Sequence, residues 1–191
     1  MIVKPSAEGL AASAAAAGRK GPPPVHLWNP PYCGDLDIRI ARDGTWFYLG
    51  TPIGRAPLVR LFSSILKREG DRYFLVTPAE KVGITVEDAP LFAVDFTNDA
   101  PGPDQIITFH TKTGDDAVCD ADHPLRVARD PKTGEPAPYM LVRAGLEARI
   151  DRKSFYRLVE LGTTETLDGE DWFGIRSSGH FFPVIPAKEL P

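Results

Sequence analysis

Alternation of apolar and polar residues is the clearest pattern in the first third of the chain. Apolar side chains occupy every second position from Leu36 to Ile40, and the pair Asp43-Gly44 then leads into an aromatic run. A period of two on both sides of an Asp-Gly pair is typical of a β-hairpin. We therefore predict a hairpin over residues 35–50, closed by a turn of the primed type.

A helical period follows this hairpin and occurs again in the last third of the chain. Over 56–70 the apolar residues recur at spacings of three and four, with Pro57 in the first turn and Gly70 at the end. These signals predict a helix over 56–70. The same kind of pattern predicts a second helix over 152–162, which Gly162 ends.

Short elements separated by turns fill the rest of the chain. The counts of Pro 19 and Gly 17 favour strands and turns over long helices. An alanine-rich segment predicts one further short helix over 6–17, which Gly18 ends. The predicted strands are 72–77, 81–87, 91–96, 105–111, a short strand within 120–130, 138–143, 171–177 and 180–185.

The order of these elements repeats. Residues 55–61 align with 152–158, so that each segment begins with an arginine and has a second arginine five positions later. The strands at 73–76 and 172–175 align as well, with an offset of 99 residues against 97 at the helices. We interpret this repetition as an internal duplication.

The fold class that follows is α+β. We predict two structurally related small domains that arise from the duplication, each with mostly antiparallel strands and one main helix. The boundaries are a flexible or short-helical tail over 1–24, an N-terminal domain over 25–90 and a C-terminal domain over 91–191.

Composition and charge exclude several classes of function. The formal net charge is −4, which gives no basic field for a nucleic acid polymer. No apolar run approaches the roughly 18 residues that a membrane span needs. The 2 cysteines do not require a disulfide, and reduced thiols indicate a cytoplasmic protein.

The segment that starts the first predicted helix offers an anion site. Gly54 and Arg55 stand where the free amide groups of a helix N-terminus would combine with a guanidinium. The structural alternative is that the glycines only shape a turn and that Arg55 pairs with a carboxylate, and the local sequence alone favours this alternative. The second copy has Glu147 and Asp151 where the first has glycines, so a phosphate would bind the first copy.

Five further residues complete the candidate ligand site. Lys81, His123 and Arg126 supply cationic or hydrogen-bonding groups, and Trp46 and Tyr48 supply rings that could stack on a base. Each has a structural alternative. The cation at 81 could belong to a solvated strand edge, and the other two polar residues could form a structural bracket at a loop. The aromatic residues at 46–48 cannot all face one side of a strand, so one or two of them must point away from the local core, toward the other domain or a ligand.

Signals for catalysis and for metals are weak. Cys33 could act as a thiolate beside a histidine, although a small buried cysteine before a glycine turn is the commoner situation. No histidine, cysteine or acidic spacing matches a metal loop, and no Walker or dinucleotide motif is present. We therefore expect no catalytic residue, no metal and no cofactor.

Long strings of the sequence resemble a known family. "WNPPYCGDLDIRIARDGTWFYLGTPIGRAPLVRLF", "YFLVTPAEKVGITVEDAP", "HPLR" and "PYMLVRAGLEARI" are similar to the bacterial family called domain of unknown function 1285, over about residues 25–185. The resemblance implies two related domains, of which the C-terminal one is superficially similar to a pleckstrin-homology fold. It also implies a nucleotide-like ligand in the cleft between the domains and a role in signal transduction.

The leading hypothesis is accordingly a non-enzymatic ligand sensor. It would bind a nucleotide-like anion in the cleft between the domains and would act on a signalling protein partner. One alternative is a protein–protein interaction module without a small ligand. Another is a hydrolase that uses Cys33 or paired carboxylates.

Overall fold

A computed structural model describes residues 5–17 and 22–190 of the chain. Internal contacts divide it into two compact units, residues 1–90 and 91–191. No helix in these described ranges is long and apolar enough to cross a membrane.

The N-terminal unit is built on one mixed sheet. Its helices are α1 (Ala7–Ala17) and α2 (Ala56–Ser64), with a short 3₁₀ helix at Val25–Leu27. The six strands lie in the order β3-β2-β1-β6-β5-β4. Only the central β1–β6 pair is parallel. The strands are β1 (Tyr32–Ile40), β2 (Trp46–Tyr48), β3 (Thr51–Pro52), β4 (Leu66–Glu69), β5 (Arg72–Val76) and β6 (Lys81–Val86).

The predicted hairpin is present as β1 and β2, but the type of its turn is corrected. Ala41 N donates to Thr45 O, and Gly44 N donates to Ala41 O, both at 2.9 Å. In this loop only Gly44 has positive φ, at 78°, which gives a type I turn followed by a glycine bulge. The primed turn lies one hairpin later, at Leu49 and Gly50, whose φ angles are 49° and 76°. Gly50 therefore has a structural role between β2 and β3.

The first predicted helix is corrected at its C-terminal end. Helix α2 ends at Ser64, and Leu66–Glu69 forms the strand β4 instead of two further helical turns. The reason is the turn at Gly70 and Asp71, because Glu69 pairs directly with Arg72 and Gly70 has a φ of 60°. A glycine in this conformation closes a tight hairpin, and the hairpin places β4 against β5.

Helix α1 belongs to the N-terminal unit and packs against α2. Its buried residues Ala7, Leu10 and Ala14 are spaced by three and four and therefore lie on one face. The helix lies within the predicted range 6–17, whereas its predicted stop, Gly18, lies outside the described residues. The N-terminal segment thus contributes part of the core.

The C-terminal unit contains two sheets. The first has six strands in the order β10-β11-β12-β7-β8-β9, in which only the β7–β12 pair is parallel, and the second has three antiparallel strands, β13-β14-β15. Helix α3 (Arg152–Val159) separates them along the chain, and a 3₁₀ helix follows at Ala187–Glu189. The strands are β7 (Leu91–Asp99), β8 (Ile106–Thr111), β9 (Asp116–Val118), β10 (Leu125–Arg129), β11 (Pro136–Arg143), β12 (Leu146–Ile150), β13 (Thr163–Leu167), β14 (Glu170–Ser177) and β15 (His180–Pro186).

The two units share one sequence of elements. In each, an arginine-headed helix is followed by three antiparallel strands, β4–β5–β6 after α2 and β13–β14–β15 after α3. The aligned segments 73–76 and 172–175 lie on the middle strand of the three in both units. The predicted α+β class, with two related small domains, is confirmed, and the pleckstrin-homology likeness stays a prediction.

Candidate functional site

A cavity of about 240 Å³ lies in the N-terminal unit at the start of α2. Helix α1 forms one side of it, and the β2–β3 hairpin and α2 form the others. Most of its lining is apolar, with Arg55 and Glu8 as the charged groups. The lining residues are Ala7, Glu8, Ala11, Tyr48, Thr51, Pro52, Ile53, Arg55, Leu58 and Phe62.

Arg55 is the cation of this cavity and the N-cap residue of α2. The residue is exposed, and no hydrogen bond or ion pair joins its guanidinium to another residue of the described ranges. The alternative interpretation, in which Arg55 pairs with a carboxylate, therefore has no support in this part of the chain. The guanidinium is available for an anion.

The amide groups at the start of α2 contribute less than predicted. Pro57 has no N–H, while Leu58 N and Val59 N both donate to Arg55 O, at 3.0 and 3.2 Å. Of the first four helical residues, only Ala56 can offer an amide hydrogen to an anion. Recognition of a negative charge at this site therefore depends on the side chain of Arg55 more than on the helix N-terminus.

The N-terminus of α3, in contrast, is capped by a side-chain carboxylate. Asp151 is the N-cap residue there, and its Oδ1 accepts from Ser154 N at 2.7 Å. The side chain of Arg55 makes no such capping bond on α2. Of the two arginine-headed helices, only α2 has a start that no side-chain carboxylate occupies.

The two candidate aromatic residues on β2 have different environments. Trp46 is only 2% exposed and stacks on Phe62, with ring centroids 6.3 Å apart, so its ring offers no surface to a ligand. Tyr48 lies two residues further along the same face of the strand, is half-buried and lines the cavity. Only Tyr48 is placed to contact a ligand in this cavity.

Gly54 precedes Arg55 but has no conformational requirement for glycine. Its φ lies outside the left-handed region, and a Cβ at this position would meet no atom within 4 Å. The residue is exposed and does not line the cavity. Gly54 therefore contributes no contact to this cavity.

Each of the other three candidates contacts a carboxylate of its own unit. Lys81 Nζ donates to Glu69 Oε2 at 2.9 Å. His123 Nδ1 lies 3.0 Å from Asp120 Oδ1, and Arg126 contacts Glu147 through two hydrogen bonds of 2.6 Å. The first belongs to the N-terminal unit and the other two to the C-terminal unit. The His123 contact is the loop bracket that the sequence left open. Arg126 instead pairs across the sheet with a residue of β12. The interpretation of Lys81 as part of a solvated strand edge is wrong, because β6 lies between β1 and β5 and the Lys81 side chain is only 16% exposed.

The α1 wall of the cavity is the part that sequence reasoning missed. Ala7, Glu8 and Ala11 line the cavity, although the sequence pattern assigned them to a tail outside the domain. The available signal was the spacing of Ala7, Leu10 and Ala14, which marks one apolar helix face. An apolar helix face is expected to pack against another element, but the sequence pattern does not identify that element.

The two cysteines differ in access. Cys33 is exposed, and the hydrogen bond of its Sγ is to Pro31 O at 3.4 Å, with no histidine in contact among the described residues. Cys119 is buried, and burial raises the pKa of its thiol to about 12. Within residues 5–17 and 22–190, no group of three or more His, Cys, Asp and Glu side chains is arranged to hold a metal ion.

Comparison with known proteins gives one consistent result. Residues 23–89 match the family model described as "Domain of unknown function (DUF1285), N-terminal domain", and residues 90–184 match "Protein of unknown function (DUF1285), C-terminal domain". No curated protein matched the chain.

Two crystal structures of DUF1285 family proteins are similar to the chain. The one from Silicibacter pomeroyi DSS-3 is 64% identical, with a TM-score of 0.86, and the alignment covers 95% of this chain and 97% of that one. The one from Shewanella baltica OS155 is 32% identical, with a TM-score of 0.53, and the alignment covers 66% of this chain and 92% of that one.

Proposed function

The chain belongs to the family described as domain of unknown function 1285, and from that premise we propose that it is a non-enzymatic ligand-binding protein whose N-terminal unit holds a small nucleotide-like anion at Arg55. The observation that supports this proposal is the environment of Arg55. Its side chain is exposed, has no partner in the described ranges, and lines a cavity that is otherwise made mostly of apolar side chains. An arginine in that setting favours an anion with an apolar or aromatic body.

The cavity limits the size of the ligand. Its volume of about 240 Å³ is smaller than the roughly 300–1,000 Å³ typical of sites for drug-sized molecules. We therefore propose a ligand no larger than a mononucleotide. The phosphate would contact Arg55, and the base would lie against the ring of Tyr48.

The proposal also includes the signalling role, the protein partner and the location that the leading hypothesis assigned to this protein. A sensor role in signal transduction, a signalling protein as partner and a cytoplasmic location are implied by the resemblance and stay predictions. The cleft between the two domains stays a prediction as well. The N-terminal cavity is a narrower proposal that can be tested without them.

Isothermal titration with adenosine monophosphate, adenosine and inorganic phosphate tests the proposal. We expect the monophosphate to bind more tightly than either fragment, because only it can use both Arg55 and Tyr48. Arg55→Gln should weaken binding by about tenfold or more, since a hydrogen bond to a charged group contributes about 1.5–3 kcal/mol. Glu8→Gln should strengthen it, because that change removes the carboxylate that lines the cavity.

Arg60→Gln is the matched control. Arg60 lies on the same helix, is exposed and does not line the cavity. The control variant should bind the monophosphate as the native protein does. If no anion in the panel produces heat, or if Arg55→Gln and Arg60→Gln weaken binding equally, the proposal fails.

A further inference from the structure

The C-terminal unit contains a larger cavity that no candidate residue of the sequence analysis lines. It has a volume of about 370 Å³ and lies between α3, the strands β14 and β15, and the end of β10. Its apolar walls include Phe155, Val159, Trp172, Phe173, Ile185 and Leu190. The volume is within the range of sites that bind small organic molecules.

The walls differ from the buried core of the same unit. Trp172, Phe173 and Ile185 are all half-buried, whereas Leu146 and Met140 of the large sheet are completely buried. Large apolar side chains that stay partly exposed around one cavity form a surface that an apolar molecule could cover.

One of these walls is held in place by a close approach of the backbone. The ring of Phe173 lies across Gly162, where a Cβ would be only 2.0 Å from the ring atom Cζ. No larger residue fits at this position without moving the ring. Helix α3 ends at Val159, three residues before the predicted stop at Gly162, and this glycine leaves the space that the Phe173 ring occupies at one side of the cavity.

The cavity also has one cationic end. Arg129 lines it, and its Nη2 lies 2.8 Å from Glu189 Oε2. The two side chains are 56% and 47% exposed, so this ion pair is solvated and contributes little to stability. A carboxylate from solution can therefore replace Glu189 at a small cost.

The chain already presents the matching chemistry to this cavity. Glu189 places a carboxylate at Arg129, and the adjacent Leu190 places an apolar side chain among the lining residues. A carboxylate next to a hydrocarbon group is also the chemistry of a fatty acid. We propose that this cavity binds a medium-chain fatty acid, with its carboxylate on Arg129 in place of Glu189 and its hydrocarbon chain along Trp172 and Phe173.

Titration with octanoate and decanoate below their micellar concentrations tests the proposal, with calorimetry and tryptophan fluorescence as readouts. Octan-1-ol and octylamine serve as probes of equal length without the carboxylate. We expect Kd to fall by about fourfold for each added methylene group that enters the cavity. Octanoate should bind at least about tenfold more tightly than octan-1-ol, because only the carboxylate pairs with Arg129.

Two substitutions separate the roles of the charged residues. Arg129→Gln should remove the preference for octanoate over octan-1-ol, and Glu189→Gln should tighten octanoate binding by removing the competing carboxylate. Arg126→Gln is the matched control, because Arg126 is an exposed arginine on the same strand that does not line the cavity. Equal binding of octanoate, octan-1-ol and octylamine to the native protein would overturn the proposal, as would a preference for octanoate that survives in Arg129→Gln.

Discussion

Arg126 on β10 reaches across β11 to Glu147 on β12, and its Nε and Nη2 atoms each donate to one carboxylate oxygen at 2.6 Å. The guanidinium crosses the ring of Tyr139 on the intervening strand, 4.3 Å from its centroid. This arrangement connects three neighbouring strands through their side chains. It gives Arg126 a structural role in the C-terminal unit.

The first prediction concerns this pair. We expect Arg126→Gln to lower the free energy of unfolding by about 1 kcal/mol or less, because the pair is partly solvated although its geometry is bidentate. Urea denaturation measures the change, and a double-mutant cycle with Glu147→Gln isolates the coupling. Binding of anions by the Arg55 cavity should not change. A coupling energy of zero would show that the contact has no structural role.

The second prediction uses the different starts of the two arginine-headed helices. Asp151→Ala should lower the free energy of unfolding by about 1 kcal/mol, because Ser154 N loses its capping acceptor. Arg55→Ser should have the opposite effect and raise it by a few tenths to about 1 kcal/mol, because serine can cap α2 where arginine does not. Urea denaturation measures both changes.

The same Arg55→Ser variant separates stability from binding. If Arg55 binds an anion, the Arg55→Ser variant should be more stable but should lose binding of adenosine monophosphate, which calorimetry measures. A variant that becomes less stable and keeps its affinity would contradict both the capping argument and the proposed function.

The sequence predicted the starts of the two main helices better than their ends. The positions of Arg55 and Arg152, with a proline or a capping residue beside them, indicate where the two helices begin. Ile65 and Leu66 continue the apolar spacing of α2, and that spacing does not distinguish another helical turn from a buried strand. The tight turn at Gly70 and Asp71 decides in favour of the strand, and it does so through the pairing of β4 with β5.

The candidate site was predictable only in part, for a similar reason. Tyr48 and Arg55 are close in sequence and line one cavity. The partners of Lys81 and Arg126 are separated from them by 12 and 21 residues, and they meet them only through sheet register. Local patterns contain no information about such pairs. The position of α1 beside the cavity was also not predictable, because packing on α2 is a tertiary contact.

The third prediction concerns acid stability in the N-terminal unit. A hydrogen bond from Lys81 lowers the pKa of Glu69 from its ordinary value of 4.5. A carboxylate with a lowered pKa in the folded state stabilises the protein above its unfolded pKa, and this contribution is lost as the pH falls through the folded value. Glu69→Gln should therefore be less stable than the native protein at neutral pH, and the difference should shrink as the pH falls below about 4.5.

Urea denaturation across this pH range measures the difference. Lys81→Met should follow the same trend, and the double variant should be little worse than Glu69→Gln alone, because Glu69→Gln already removes the contact with Lys81. A difference between Glu69→Gln and the native protein that is independent of pH would contradict the assignment.

The fourth prediction concerns thiol reactivity. Cys33 is exposed, while burial raises the pKa of Cys119 to about 12, and only a thiolate reacts quickly with alkylating agents. We expect the folded protein to react quickly at Cys33 alone at mildly alkaline pH. Both cysteines should react after unfolding in guanidinium chloride. Mass spectrometry of the alkylated peptides identifies the sites. Rapid alkylation of Cys119 in the folded Cys33→Ser variant would show that its environment is more open than described.

The fifth prediction concerns a position at which the two related units differ. Leu75 on β5 aligns with Gly174 on β14, although Leu75 is completely buried and Gly174 has no side chain. A Cβ at Gly174 would lie 2.4 Å from Phe182 O and 2.6 Å from Phe181 Cζ. The backbone oxygen belongs to the paired strand β15, so it cannot move without disturbing the sheet. The ring of Phe181 thus fills the space beside Gly174 that a side chain at this position would need.

Gly174→Ala should accordingly lower the free energy of unfolding by about 1–3 kcal/mol, which is the usual cost of overpacking. Gly54→Ala is the matched control, since a Cβ there meets no atom within 4 Å and φ is not in the left-handed region. That control should be neutral or stabilising by up to about 1 kcal/mol, because alanine restricts the unfolded chain. Urea denaturation followed by tryptophan fluorescence measures both. Equal stabilities of the two variants would mean that β15 yields to a methyl group, and Gly174 would then not be the position that separates the two units.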